Sequence, residues 1–365
     1  MVDWNLAVAT ATRLVRPGPD VSRDEARAVV AELRRHAKAS EQHVRGFTRM
    51  GTDDIHDTPI LVVDRPGWVR ANVAGFREVL KPLLDKMQER RGNTPGGAVF
   101  GAVGGKVTGV ELGMLLSFLS SRVLGQYETF APATRELPAG AKGGRLLLVA
   151  PNIVHVEREL DVQPHDFRLW VCLHEETHRT QFTAVPWLRD HLEGEIQSFL
   201  GETEVDPMTV LERIREAAQS LAGGRPEGEE DDEGRSLVEI VQTPAQREIL
   251  GRLTAVMSLL EGHADFVMDG VGPDVVPSVA EIREKFQQRR AKGASRLDSA
   301  LRKLLGLDAK LRQYRDGERF VRAVVEQVGM DGFNRVWTSP NTLPTKTEIA
   351  KPADWVARVH RKAES

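Results

Sequence analysis

His174-Glu175-Glu176-Thr177-His178 sits in a segment that opens at Pro164 and meets no further proline until Pro186. Pro164 suits a first helical turn, and nothing between the two prolines breaks a helix. At about 100° per residue, His174 and His178 then lie one turn apart on the same face and can grip one cation. Glu175 falls roughly 60° from His178 by the same geometry. A carboxylate there can take a proton from water beside the metal instead of adding a ligand. Phe167, Trp170, Val171, Gln181 and Phe182 share this face with the histidines, an apolar stripe that predicts a dry pocket. The bland alternative is a pair of satisfied core histidines on a buried helix.

A catalytic zinc site needs three protein ligands and an open position. The best third donor lies in Leu259-Leu260-Glu261-Gly262-His263-Ala264-Asp265-Phe266, where Glu261 and Asp265 stand at i and i+4 on one helix face. One of them can bind the metal while the other holds a ligand imidazole by its far nitrogen. His263 competes, but it points about 200° from Glu261 around the helix. A purely structural Glu–Asp pair is the remaining reading.

The pairing of H-E-x-x-H with E-x-x-x-D resembles the glutamate-zincin metallopeptidases. That resemblance implies Glu261 as third ligand and Asp265 as the residue that orients His174. The chain departs from the pattern at Leu260 and Ala264, where those enzymes often carry Asn and Ser, and its two motifs are far apart. Glu176 and Arg179 depart as well, at positions usually uncharged. Glu176 falls near Leu169, Cys172 and Leu173, so burial there demands a partner, and Arg179 is the obvious one. Arg179 is also i+4 from Glu175, and an ion pair there would lower the Glu175 pKa and weaken it as a base.

Further stretches carry a wider resemblance. Val171 through Phe182, Val185-Pro186-Trp187-Leu188, Trp68-Val69-Arg70-Ala71-Asn72, and the C-terminal run with Gly329-Met330-Asp331-Gly332-Phe333-Asn334 and Leu343-Pro344-Thr345 are similar to an uncharacterised zincin-like family of actinobacteria and chloroflexi. Its members carry labels of hydrolase or of association with deazaflavin-coenzyme biosynthesis. The resemblance spans most of the chain. It implies an α+β, predominantly helical, zincin-like metallopeptidase fold with a small sheet next to the metal-binding helix.

Composition sets the outer bounds. The 365 residues are 41% hydrophobic and 28% charged, with a net charge of −3 and one cysteine. These values describe an ordinary globular protein without the electrostatic footprint of a nucleic-acid or anionic-membrane binder. An internal disulfide is excluded. Cys172 points about 160° from His174 and reads as a small core hydrophobe. Acidic Asp3 and the lack of a basic-then-apolar opening argue against a secretory signal, and the most apolar stretch, 110–127, is too broken for a membrane span, so the cytoplasm is expected.

Ser22-x-x-Glu25 and Thr345-x-x-Glu348 are capping boxes that open helices. Residues 60–63 and 145–150 read as strands, and 146–150, just before the metal helix, is by analogy the candidate edge along which substrate lies. Helices are expected at 108–129 and 253–268, and another from Glu318 closed by Gly329. Gly104-Gly105-Lys106-Val107-Thr108 fails the phosphate-loop pattern and is better read as a turn or close helix packing. The acidic, apolar-free run within 224–235 is expected to be a disordered loop in a single domain, 1–365.

Together these features predict a zinc-dependent hydrolase of peptide or other amide-containing substrates. Zn²⁺ would be held by His174, His178 and Glu261, with Glu175 as general base and Asp265 behind His174. No nucleic-acid or membrane partner is expected. Tyr314, Arg315 and His263 are guesses for an oxyanion donor. The alternative is a catalytically inactive zincin-like scaffold kept for binding.

Overall fold

A computed structural model describes residues 2–51, 58–91, 97–131, 144–202, 243–291 and 307–361. The acidic run at 224–235 lies outside them. The described elements are α1 (Trp4–Leu14), α2 (Arg23–Thr48), β1 (Ile60–Val63), α3 (Arg65–Arg91), α4 (Gly97–Ser120), β2 (Gly125–Glu128), β3 (Arg145–Val149), α5 (Ala150–Leu160), α6 (Pro164–Ala184) and α7 (Pro186–Gly201). After residue 243 come α8 (Pro244–Gly270), α9 (Val279–Ala291), α10 (Leu307–Phe333), two short 3₁₀ turns, α11 (Lys346–Ala350) and α12 (Pro352–Arg361). The fold is α+β and predominantly helical, with one small sheet beside α6.

Local chemistry sets the helix ends. Pro164, Pro186 and Pro244 stand in first turns, where the missing N–H is no loss. The Glu25 amide donates to Ser22 Oγ at the start of α2. Thr345 and Glu348 form the reciprocal box of α11, as do Thr243 and Gln246 at α8. Gly329 takes a positive φ of 73° with ψ 173°, a non-helical break that ends one helical run as expected, and a further short run continues to Phe333.

The sheet has the order β1-β3-β2, with β1 parallel and β2 antiparallel to β3. The apolar run of β3 follows from its central place, since both of its faces are covered. Leu148 packs into the cluster built with α2 and α6, while Leu147 and Val149 turn the other way toward α1, α3 and α4. β3 therefore cannot be the substrate edge, because a strand already pairs with it on each side. The edge that reaches the site is β2, inside the stretch expected to be helical up to 129; α4 stops at Ser120.

A second core joins α7, α8, α10 and α12 around Leu259, Phe320, Phe333 and Trp355. Here α8 and α10 approach backbone to backbone. A Cβ added at Gly262 would stand 2.1 Å from the Gly317 carbonyl carbon, and one at Gly317 would stand 1.9 Å from Ser258 O. Any side chain at either position would push the helices apart. Gly109 and Gly113 allow the same closeness between α4 and α1. Among the described residues, no helix is long and apolar enough to cross a membrane.

Candidate metal centre

α6 presents its histidines to α8, and the two helices deliver the donors together. His174 Nε2 lies 3.2 Å from His178 Nε2. Glu261 Oε2 lies 3.7 Å from the former and Oε1 3.8 Å from the latter. Donors about 2.0–2.2 Å from one tetrahedral centre stand about 3.3–3.6 Å from one another, so the set has the spacing of a shared ion. With the two Nε2 atoms facing at 3.2 Å, either a shared proton or a cation must lie between them. Two imidazoles and a carboxylate, half-buried at the mouth of a cleft, suit a divalent ion such as zinc.

The far nitrogens of both rings are held. His174 Nδ1 is 3.5 Å from Asp265 Oδ1 and 3.1 Å from Met268 Sδ, so its N–H points between them. His178 Nδ1 meets Gln181 Oε1 at 3.0 Å. The Gln181 amide nitrogen donates to Leu260 O at 2.9 Å, which fixes the amide orientation and leaves Oε1 as an acceptor. His178 must then carry its proton on Nδ1, and its Nε2 lone pair is free for the centre. The same amide nitrogen donates to His263 Nδ1 at 3.0 Å. His263 is fully buried, packed on Phe333 and Trp337, and burial drives its pKa down to about 3. It faces away from the donors, as its helical position requires. The side chains of Tyr314 and Arg315 lie outside the described residues.

Glu175 lies flat against β2. A Cβ at Gly125 would stand 2.5 Å from its Cγ and 2.8 Å from Oε1, so only glycine admits the carboxylate here. Burial raises the Glu175 pKa, His174 opposes the rise and Glu261 adds to it, leaving it at about 7. Burial also works against charge on His174, but Asp265, Glu175 and Glu261 outweigh it and lift that imidazole to about 9. His178 goes the other way, lowered by burial despite Glu261. The three carboxylates around two rings thus attract positive charge.

Arg179 does not pair with Glu175. Its Nη1 donates to Glu176 Oε1 at 3.0 Å and to Glu41 at 3.3 Å, and its Nε donates to Thr58 Oγ1. Glu176 and Arg179 are buried on the side of α6 that faces α2 and the approach to β1. These charged departures from the expected motif therefore staple α6 to its neighbours and do not engage Glu175. Cys172 is fully buried, its thiol directed at Leu33 O and pushed well above the ordinary range by burial.

A cavity of about 630 Å³ opens over the centre. His174, Glu175, His178 and Glu261 form its polar end. Phe76, Val79, Phe182, Leu192, Met257 and Leu260 form an apolar wall, and Gln126 to Phe130 run along one side. Tyr127 stacks on Phe182 with centroids 5.4 Å apart, and burial pushes its hydroxyl up to about 12.

The structure brings His174, Glu175, His178, Glu261 and Asp265 to one place. Gln181, Met268, Gly125 and β2 had no assigned role in the sequence reading. Gln181 alone left a trace there, as the single amide on the histidine face of α6.

A family model described as zincin-like metallopeptidase matches residues 2–356. Among solved structures, the chain is similar to "a putative hydrolase with a novel fold" from Chloroflexus aurantiacus. The two are 29% identical over 99% of each chain, with a TM-score of 0.69. No curated protein sequence matches.

Proposed function

The chain belongs to the zincin-like metallopeptidase family, and from that premise we propose that it is a zinc-dependent hydrolase of amide bonds. The observation that carries this reading is the convergence of His174, His178 and Glu261, all donor atoms within 4.8 Å, with Glu175 beside them in a cleft. These three residues would hold the ion. When bound, zinc supplies Lewis acidity, bringing the pKa of a water to about 7 and polarising a carbonyl.

The protein's own groups do the rest. Glu175 accepts a proton from the attacking water and returns it to the leaving amine nitrogen. Gly125 leaves the space that the Glu175 carboxylate occupies against β2. Asp265 and Gln181 hold His174 and His178 with their Nε2 atoms turned inward. The apolar wall favours a substrate with a bulky apolar group next to the scissile amide, and excludes water around the reacting atoms.

Zinc analysis together with a peptide and amide turnover screen tests this reading. Glu175→Gln is expected to keep stoichiometric zinc and lose turnover at least a hundredfold; loss of the metal in that variant would overturn the role given to Glu175. Glu261→Ala is expected to lose zinc. The competing reading, an inactive scaffold, rested on Glu176, Arg179 and the lack of an evident oxyanion donor; the first two pair with each other and with α2 instead of entering the cleft.

A further inference from the structure

On the face of α6 opposite His174, a second set of donors converges. α2 supplies Glu32 and His36, one turn apart, and the first turn of α6 supplies His165. A ligand atom from each lies within 4.8 Å of the other two. His36 Nε2 is 3.3 Å from Glu32 Oε1, and the His36 and His165 rings meet edge to face with centroids 4.6 Å apart. His165 and His174 are nine residues apart, about 180° around the helix and about 13 Å along it. The cluster is thus separate from the centre described above.

The surroundings are built to hold these donors. Arg168 binds the other Glu32 oxygen and both oxygens of Glu157, leaving Glu32 Oε1 turned to the imidazoles. Asp166 Oδ1 lies 3.3 Å from His165 Nδ1, and its other oxygen accepts from the Ser278 amide at 2.9 Å and the Ser278 hydroxyl at 2.7 Å. Both acidic partners are fixed before any ligand arrives. Glu32, Glu157 and Asp166 place carboxylates around the donors; Arg168 is taken up by Glu32 and Glu157, Arg158 pairs with Glu25, and Arg35 is the further cation that acts on His36.

We propose that Glu32, His36 and His165 form a second divalent-cation site, of the N,N,O type that zinc or cobalt prefers. His36 is buried and the His165 side chain is 64% exposed, so one side of the site opens to solvent and the ion can exchange. A bound ion would tie α2 to the first turn of the helix that carries His174 and His178. It would act as a clamp on the scaffold, not as a part of the hydrolytic centre.

Full-length protein, stripped with chelator and dialysed against zinc in the presence of millimolar magnesium, tests this directly. Wild type is expected to bind two zinc ions per chain, His165→Ala one, His174→Ala one, and the double variant none. The His165 side chain is exposed, so its replacement removes no core packing, and His36→Gln provides a second variant with the same expected loss. Titration of His174→Ala should show a residual zinc affinity that falls at least tenfold when His165→Ala is added. Wild type that binds a single ion lost in His174→Ala, or His165→Ala with unchanged stoichiometry, would refute the second site. Neither result would touch the reading of the first centre, which His174→Ala reports separately.

Discussion

Gln181→Leu isolates the link between α6, α8 and the metal centre, and needs no substrate to be tested. The replacement nearly preserves volume at a fully buried position while removing three hydrogen bonds, to His178 Nδ1, Leu260 O and His263 Nδ1. Without the Gln181 oxygen, the His178 ring loses the acceptor that fixes its tautomer and orientation. Removing such an outer partner weakens metal binding about 10–100-fold, or about 1.4–2.7 kcal/mol. The His263 ring is left buried without a partner, at about 1–3 kcal/mol, while the Leu260 carbonyl keeps its bond within α8. Zinc affinity would be read by competition with a chromophoric chelator, and the stability of the stripped protein by urea unfolding. A zinc Kd within twofold of wild type, with the expected loss of stability, would refute the claim that Gln181 prepares His178 for the metal.

Other consequences are equally open to measurement. Gly125→Ala places a methyl where the Glu175 carboxylate lies, and ordinary contact requires a shift of about 1 Å. Turnover is expected to fall about 10²-fold with zinc content unchanged, and wild-type turnover would sink the assigned geometry. Arg179→Met strands Glu176 in the core and should destabilise the fold by about 3 kcal/mol or more; a urea midpoint equal to wild type would contradict the stapling role of the pair. Burial lifts the Asp269 pKa to about 6, with Arg283 opposing the shift. Its folded-state pKa lies above the unfolded value, so the folded protein holds a proton that the unfolded chain has released between about pH 4 and 6. The stability contributed by Asp269 is therefore full at low pH and declines as pH rises through that window. Wild type should lose stability relative to Asp269→Asn between pH 4 and 6, and parallel stability curves for the two would count against it.

Much of α6 was legible because helical spacing is a local property. Pro164 and Pro186 bracket α6, and the periodicity alone aligns His174 with His178 and Glu261 with Asp265. The same rule turned His263 away from Glu261, and the structure buries it against Phe333 and Trp337. β2 was hidden because Gly125-Gln126-Tyr127-Glu128 has no alternating apolar pattern; its strand state depends on pairing with β3. The role of Arg179 was open for a related reason. Both Glu175 and Glu176 lie within its reach along the helix, and only the position of Glu41 and Thr58 on neighbouring segments settles which one it serves.

By itself the sequence determined which donors share a helix face, since that follows from 3.6 residues per turn. It also determined that one amphipathic segment carries two imidazoles beside a carboxylate. The meeting of α6 with α8 was a matter for tertiary structure, because no local rule sets the distance between helices separated by a long stretch of chain. That distance depends on how side chains interlock along the α6–α8 contact and on the Gln181 bridge between the two helices.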